Sequence, residues 1–167
     1  FFENSLQGDA VLPKIYNALG VQSRFEGNTL VLSKSNSVVS SLQLDLVNSP
    51  DIAQTIAVTC YGLGIACDLT GLHTLKIKET DRLVALQNEL QKLGARIDIT
   101  DDALTLYATS KITNNSTIST YNDHRMAMAF APLALKTKIN IEDYRVVSKS
   151  YPTFWEDLET LGFVFNK

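Results

Sequence analysis

The chain has 167 residues, of which 45% are apolar, 20% charged and 8% aromatic, which suffices for one domain with a hydrophobic core. The 15 Lys and Arg residues against 18 Asp and Glu residues give a net charge of −3, which argues against nucleic acid or a membrane surface as a partner. No run of about 18 apolar residues predicts a membrane span and no basic leader opens the chain, so we expect a cytoplasmic protein.

Taken in chain order, the first predicted element is a helix over residues 9–20 that carries an apolar stripe and ends at a glycine. A turn then leads into a strand at Thr29–Leu32. The same pattern returns from Asp81, with a leucine stripe, Gly94 at the helix end and a strand at Leu104–Leu106. Helix end and strand each lie 74 residues after their counterparts in the first copy, so the chain contains a repeat.

A second class of helix alternates with the first. Residues 51–59 and 126–133 are apolar nearly all round, which predicts helices buried inside the domain. Asp51 and Asp123 precede them at matching places, 72 residues apart. Each repeat unit is therefore predicted to consist of a strand, a buried helix, a strand, an amphipathic helix and a strand pair. This predicts an α/β fold of pseudo-repeated βαβαββ units.

The last copy of the repeat begins at Tyr151 and stops within a short apolar segment, Phe163–Phe165, where its strand pair should close. The chain also begins with Phe1 rather than Met. We therefore expect residues 1–167 to form one domain that belongs to a longer protein, with an open sheet edge that could drive self-association.

Cys60 and Cys67 lie seven residues apart in an apolar stretch, which predicts buried thiols rather than a disulfide framework. His73 and His124 do not join them in a metal-binding pattern. We therefore predict no metal site.

Positively charged side chains stand where three of the predicted helices begin: Lys78 and Arg82, then Arg125 with its neighbour His124, then Lys149. Helix N-termini already carry partial positive charge, so a cation there costs about 0.3–1 kcal/mol unless an anion is bound. Lys78 and Lys149 lie 71 residues apart at equivalent positions of the repeat. We therefore favour a shared site for a small, oxygen-rich anion over the alternative of solvated surface charges.

Two carboxylates near these cations, Asp51 and Glu79, are candidates for acid–base chemistry. Each has a simpler interpretation. Glu79 could form a structural ion pair, because a carboxylate among cations is normally ionised. Asp51, which follows Pro50, could be a helix N-cap.

Several segments together resemble the EPSP synthase family, the 3-phosphoshikimate 1-carboxyvinyltransferases. The most specific are Lys78–Leu83, Tyr121–Met128 and Val147–Pro152, and the segments Leu6–Asp9 and Pro50–Ala57 fit the same family. The resemblance spans the whole chain in the family's order.

The resemblance implies transfer of the enolpyruvyl group from phosphoenolpyruvate to the 5-hydroxyl of shikimate 3-phosphate, with release of phosphate, in chorismate and aromatic amino acid biosynthesis. It implies no metal or organic cofactor. The family fold is an inside-out α/β barrel of two lobes, each with three βαβαββ units, and the substrates bind between the lobes. This chain would be the C-terminal part of the lobe that holds both chain ends, and its parent would be a monomer. Without the other lobe, which grips shikimate 3-phosphate, we expect the chain alone to be inactive.

The resemblance also implies roles for the residues that carry proton transfer. Asp51 would contact the shikimate hydroxyls and accept the proton of the attacking one. Lys78 would contact substrate and assist proton transfer. Glu79 would exchange the proton of the methylene carbon.

The remaining implied roles concern substrate binding. Arg82, Arg125 and Lys149 would hold the carboxylate and phosphate of phosphoenolpyruvate, and His124 would support that site. Thr74 stands where relatives commonly carry an Asn on the shikimate phosphate side, and its hydroxyl can still donate one hydrogen bond.

Two other functions are compatible with these patterns. A sister enolpyruvyl transferase that acts on UDP-N-acetylglucosamine shares the fold and donor, although the segments around Lys78 and Asp123 favour the shikimate enzyme. A non-catalytic anion-binding module could use the same repeat. Asp51 and Glu79 argue against the module, since anion binding alone gains nothing from two carboxylates.

Overall fold

The computed structural model describes residues 5–166. Its strands are β1 (Leu19–Glu26), β2 (Thr29–Val38), β3 (Ser41–Asp45), β4 (Ala66–Thr70), β5 (Ile97–Ile99), β6 (Leu104–Leu106), β7 (Ser116–Ile118) and β8 (Ile139–Ile141). Its α-helices are α1 (Leu12–Ala18), α2 (Ala53–Leu63), α3 (Arg82–Lys92), α4 (His124–Phe130) and α5 (Phe154–Thr160). Short 3₁₀ turns occupy Gly8–Val11, Pro50–Ile52, His73–Ile77, Ala131–Leu135 and Tyr144–Lys149.

The central part of the chain forms one complete βαβαββ unit, so the predicted fold class is confirmed. Its elements follow in the order β3, α2, β4, α3, β5 and β6, and its sheet has the strand order β3-β4-β6-β5. The first two strands are parallel and pair Ser41 with Ala66 and Asp45 with Thr70. The pairs β4–β6 and β5–β6 are antiparallel.

The flanking elements belong to incomplete units. Before the central unit, α1 leads into an antiparallel hairpin of β1 and β2. After it, β7 and β8 form a parallel pair with α4 between them in sequence, and α5 follows. The expected strand at Phe163–Phe165 is not formed, since residues 163–166 have no regular secondary structure. A single strand without a neighbour leaves its backbone groups unpaired, which explains this difference.

Helix α2 is buried as its apolar composition predicts, and it contacts α3, α4 and β4. Ala53, Ile56 and Ala57 have no exposed surface. The helix ends at Gly64, whose φ of 75° allows its N–H to donate to the carbonyl groups at the helix end.

The predicted buried thiols are also confirmed, since Cys60 in α2 and Cys67 in β4 are both free and buried. The neighbouring Cys60 and burial raise the pKa of the Cys67 thiol far above its usual value, so this thiol stays protonated.

Helix α3 follows the predicted amphipathic pattern. The Asp81 side chain caps it by accepting hydrogen bonds from the N–H groups of Leu83 and Val84, each at 3.1 Å. The leucine stripe, which includes Leu86 and Leu90, has no exposed surface.

Two expectations about helix starts are wrong. The predicted helix over residues 9–20 begins with a 3₁₀ turn rather than with α1. Its predicted glycine end is confirmed, because Gly20 has a φ of 89° and follows Leu19, the C-cap of α1. Gly20 also belongs to β1, where the register with β2 shifts. A Cβ atom at Gly20 would lie 2.9 Å from the Val38 side chain, so glycine there serves the strand irregularity. Asp51 is not the N-cap of α2, because it lies within the preceding 3₁₀ turn and the N-cap is Ile52.

None of the helices within residues 5–166 has the length and apolar character that crossing a membrane requires.

Candidate active site

The beginnings of α2, α3 and α4 converge on one cluster of charged side chains. Helix α2 contacts both α3 and α4, and the 3₁₀ turn before α2 contacts the turn at His73–Ile77 that precedes α3. This packing brings together Asp123 and six of the eight candidate residues, which are Asp51, Lys78, Glu79, Arg82, His124 and Arg125.

The guanidinium group of Arg82 lies at the centre of the cluster. Its Nε donates to Asp123 Oδ2 at 2.7 Å, and its Nη2 donates to Asp123 Oδ1 at 3.3 Å. The same Nη2 donates to Glu79 Oε2 at 2.7 Å, and Nη1 donates to Asp51 Oδ1 at 2.8 Å. Arg82 is only 2% exposed and Asp123 is fully buried, so this is a buried, multiply hydrogen-bonded ion cluster.

This geometry decides between the two interpretations of Arg82. The solvated-charge interpretation is wrong for this residue, because its side chain is buried. The anions that compensate the cation at the helix start are carboxylates of the protein itself. These four hydrogen bonds leave one of its five N–H donors without a partner in residues 5–166.

Asp51 shares its carboxylate among three cations. Its Oδ1 lies 3.3 Å from Lys78 Nζ as well as 2.8 Å from Arg82, while its Oδ2 lies 3.9 Å from Arg125 Nη2. Arg125 Nη1 also donates to the backbone oxygen of Asp51 at 3.0 Å. Burial raises the pKa of Asp51, but the hydrogen bond from Lys78 and the charges of Arg125, Lys78 and Arg82 outweigh it and lower the pKa below its usual 3.8. The side chain is 36% exposed, so an ionised carboxylate faces solvent here.

Glu79 and His124 lie at the edges of the cluster. Glu79 is 42% exposed and pairs with Arg82, as the ion-pair interpretation predicts. Its other oxygen, Oε1, accepts no hydrogen bond from residues 5–166, which leaves it available to a bound molecule. His124 begins α4 and lies with Nδ1 3.9 Å from Asp123 Oδ1.

Asp123 is the important residue to which sequence reasoning gave no role. It caps α4 by accepting a hydrogen bond from the Arg125 N–H at 2.9 Å and at the same time binds Arg82. Gln54 in α2 donates weakly to Asp123 Oδ2 at 3.4 Å, and the Oε1 of Gln54 is buried without a partner within residues 5–166. The signal in the sequence was the matched placement of Asp123 and Asp51 before the two buried helices.

Within residues 5–166, Thr74 and Lys149 form no hydrogen bond or ion pair with this cluster. The Thr74 hydroxyl lies in the turn before α3, buried and without a hydrogen-bond partner among the described residues. Lys149 is exposed at the end of a 3₁₀ turn that packs on α4, and it forms no ion pair within residues 5–166. The solvated-charge interpretation therefore describes Lys149 in this structure.

Residues 5–166 contain no cluster of three or more His, Cys, Asp or Glu side chains that could hold a metal ion.

Comparisons of the sequence with a family model and with known proteins point to the same family. The sequence model of the EPSP synthase (3-phosphoshikimate 1-carboxyvinyltransferase) family matches residues 1–158. A 3-phosphoshikimate 1-carboxyvinyltransferase of Bacteroides fragilis is 42% identical over 165 residues, which cover 97% of this chain and 40% of that protein. One from Neisseria meningitidis is 32% identical over 95% of this chain and 37% of its own length. The chain thus spans about two fifths of the length of these relatives.

Solved structures agree on the fold. An EPSP synthase from Acinetobacter baumannii superposes with a TM-score of 0.72 at 22% identity, covering 88% of this chain and 37% of that one.

Proposed function

Because the chain belongs to the EPSP synthase family, we propose that it supplies part of an active site that transfers the enolpyruvyl group of phosphoenolpyruvate to the 5-hydroxyl of shikimate 3-phosphate and releases phosphate. The observation that carries this proposal is the convergence of Asp51, Lys78 and Glu79 around buried Arg82. Such a cluster combines carboxylates that can exchange protons with cations that can stabilise negative charge, and addition to an enol carbon requires both.

Asp51 would receive the proton of the attacking hydroxyl, and this proton would end on the released phosphate, which returns Asp51 to its ionised form. Its lowered pKa keeps it ionised at neutral pH, and its side chain is partly exposed, so it can accept a hydrogen bond from a bound molecule. Lys78, at 3.3 Å from the other oxygen, would contact the substrate and compensate the charge as the proton moves.

Glu79 would deliver a proton to the methylene carbon and remove one again when phosphate leaves. Its Oε2 accepts from Arg82 while Oε1 stays available, so the orientation of the side chain is set without both oxygens being used. An acid–base group oriented by a second residue in this way is typical of enzymes.

The donor's phosphate and carboxylate would be bound by Arg125, Lys149 and the uncommitted N–H of Arg82, with His124 beside them. Arginine suits both anionic groups because its planar donors match their geometry. Thr74 would donate one hydrogen bond on the shikimate phosphate side, where its buried hydroxyl has no partner among the described residues.

We further propose that residues 1–167 are the C-terminal part of the lobe that holds both chain ends, in a cytoplasmic and monomeric parent protein. The relatives are about two and a half times as long as the aligned region, which supports a longer parent protein. The chain alone would then lack turnover because the second lobe completes the site.

The proposal is tested by measuring phosphate release from phosphoenolpyruvate by the full-length protein with two acceptors in parallel. Release with shikimate 3-phosphate alone is expected. Release with UDP-N-acetylglucosamine alone would assign the sister reaction to the same fold. No release with either, from a folded protein that binds phosphoenolpyruvate, would favour the binding module.

Glu79→Gln then separates catalysis from binding. The amide oxygen can still accept the hydrogen bond from Arg82, so the cluster is preserved while the titrating proton is lost. We expect turnover to fall by about 10²-fold or more with nearly unchanged donor binding, measured by steady-state kinetics and calorimetry. An active Glu79→Gln variant would remove Glu79 from the proton-transfer step.

A further inference from the structure

A second charged cluster lies along α3, outside the site described above, and it is centred on Glu89. This carboxylate has no exposed surface. Its Oε1 accepts a hydrogen bond from the Tyr121 hydroxyl at 2.8 Å. Its Oε2 accepts from the Ser119 N–H at 3.1 Å and from Lys92 Nζ at 2.7 Å. Glu89 therefore binds the segment before α4 at two points, on either side of Thr120.

The residues that follow are in an unusual backbone conformation. Tyr121 and Asn122 have φ values of 54° and 57°, in the left-handed region that non-glycine side chains rarely adopt. Two such residues in succession persist only where surrounding contacts determine them. The bond from Tyr121 to Glu89 is such a contact, and burial raises the pKa of Tyr121 with a further increase from Glu89, so the hydroxyl remains a donor.

The left-handed turn ends directly at Asp123, the carboxylate that binds Arg82. Arg82 and Glu89 both belong to α3, separated by seven residues or about two turns of helix, so they lie on the same face. Helix α3 thus fastens residues 119–123 at two places, through Glu89 at one end and Arg82 at the other.

We propose that Glu89 and Tyr121 are positioning residues that set the left-handed turn and thereby align Asp123 with Arg82. Arg82 in turn binds Asp51 and Glu79, so the alignment reaches the two acid–base candidates. Neither positioning residue contacts Asp51, Glu79 or Arg82 by a hydrogen bond within residues 5–166. The effect of Glu89 and Tyr121 on the alignment of Asp123 does not depend on the proposed function, whereas their effect on turnover rests on it.

The test compares Tyr121→Phe with Tyr107→Phe in the full-length protein. Both variants remove one hydroxyl that donates to a carboxylate at a similar distance, 2.8 Å to Glu89 and 2.9 Å to Asp98, but the second bond is exposed and lies at the β5–β6 pair. The first readout is solvent exchange of the Arg82 Nε–H, measured by nitrogen-15 NMR without any substrate. We expect about tenfold faster exchange in Tyr121→Phe and a rate within about twofold of the parent in Tyr107→Phe.

The second readout is steady-state kinetics. We expect kcat to fall about tenfold or more in Tyr121→Phe, with a smaller change in KM, because misplacement of acid–base groups mainly affects the chemical step. Unchanged Arg82 exchange in Tyr121→Phe, or an equal increase in both variants, would overturn the proposal. Faster Arg82 exchange in Tyr121→Phe but not in Tyr107→Phe supports the proposal even if the parent protein shows no turnover. Absence of turnover in the parent would count against the proposed function instead.

Glu89→Leu serves as the second variant if Tyr121→Phe does not fold. Leucine is similar in size and has no polar side-chain atom, so the Tyr121 hydroxyl and the Ser119 N–H both lose their acceptor. We expect the same faster exchange at Arg82, and its absence would overturn the proposal. The Lys92 side chain that loses its partner is 44% exposed and can be solvated.

Discussion

The helices α3 and α5 follow equivalent lysines in successive repeats, yet their first turns have different surroundings. Helix α3 is capped by the Asp81 side chain and begins with Arg82, which is buried among carboxylates. Helix α5 begins at Phe154 after Thr153, whose side chain makes no cap hydrogen bond. The preceding lysines differ in the same way, since Lys78 pairs with Asp51 and Lys149 forms no ion pair within the described residues.

Aromatic side chains pack against one another at the start of α5. Trp155 makes edge-to-face contacts with Phe154 at 4.9 Å and with Phe165 at 5.3 Å between ring centroids. The comparison shows that the repeat determines where helices begin, while the charge cluster depends on side chains contributed by other units. Arg82 needs Asp51 from before α2 and Asp123 from before α4, whereas the carboxylates in the first turn of α5 are its own Glu156 and Asp157.

The largest effect that distinguishes the two helices is expected from removing their cations. Arg82→Ala should lower the free energy of unfolding by about 3–5 kcal/mol, because it leaves the fully buried Asp123 without its cation. Lys149→Ala should change it by less than about 0.5 kcal/mol, since that side chain is exposed. Urea unfolding monitored by circular dichroism measures both.

Arg82→Lys refines this prediction. A lysine retains the charge but cannot reach three carboxylates at once as the guanidinium does, so an intermediate loss is expected. Equal stabilities of Arg82→Ala and Lys149→Ala would contradict the idea that the cluster at α3 differs energetically from the start of α5.

The fold was largely predictable because local patterns in the sequence indicate its repeat. Apolar periodicity located α2 and α3, and the 74-residue spacing related the first helix–strand pair to the second. Helix starts were less predictable, because short 3₁₀ turns precede both α1 and α2 where the sequence predicted an α-helix.

The sequence predicted which residues form the candidate site better than it predicted how they contact one another. The sequence motifs pointed to Asp51, Lys78, Glu79 and Arg82, which the structure brings together. The burial of Arg82 and its compensation by Asp123 depend on how α3 and α4 pack, which no local pattern encodes. Glu89 left a weak signal, a charged residue between Leu86 and Leu90 on the buried face of α3.

A smaller difference is expected from the helix caps. Asp81→Ala should lower the free energy of unfolding by about 1 kcal/mol, because the N–H groups of Leu83 and Val84 lose their acceptor. Thr153→Ala at the corresponding place in α5 removes only an exposed hydrogen bond to Asp157, so its effect should be a few tenths of a kcal/mol. Thermal and urea unfolding of both variants provide the measurement, and a larger effect at Thr153 would reverse the comparison.

The smallest effect concerns protonation of Asp51. Because its pKa in the folded chain is lowered below 3.8, its ionised form stabilises the fold above the unfolded-state pKa, and this contribution disappears as pH falls through the folded-state value. Lys78→Ala removes the hydrogen bond that opposes the effect of burial, so the pKa of Asp51 should rise and the acid loss of stability should begin at higher pH. Lys149→Ala should leave the titration of Asp51 unchanged, as no described contact joins them.

Carbon-13 NMR of the Asp51 carboxyl group between pH 2 and 6 measures both variants. A similar shift in the two would mean that Lys149 acts on Asp51 through space, and the lysines before α3 and α5 would then share one electrostatic environment despite their different contacts.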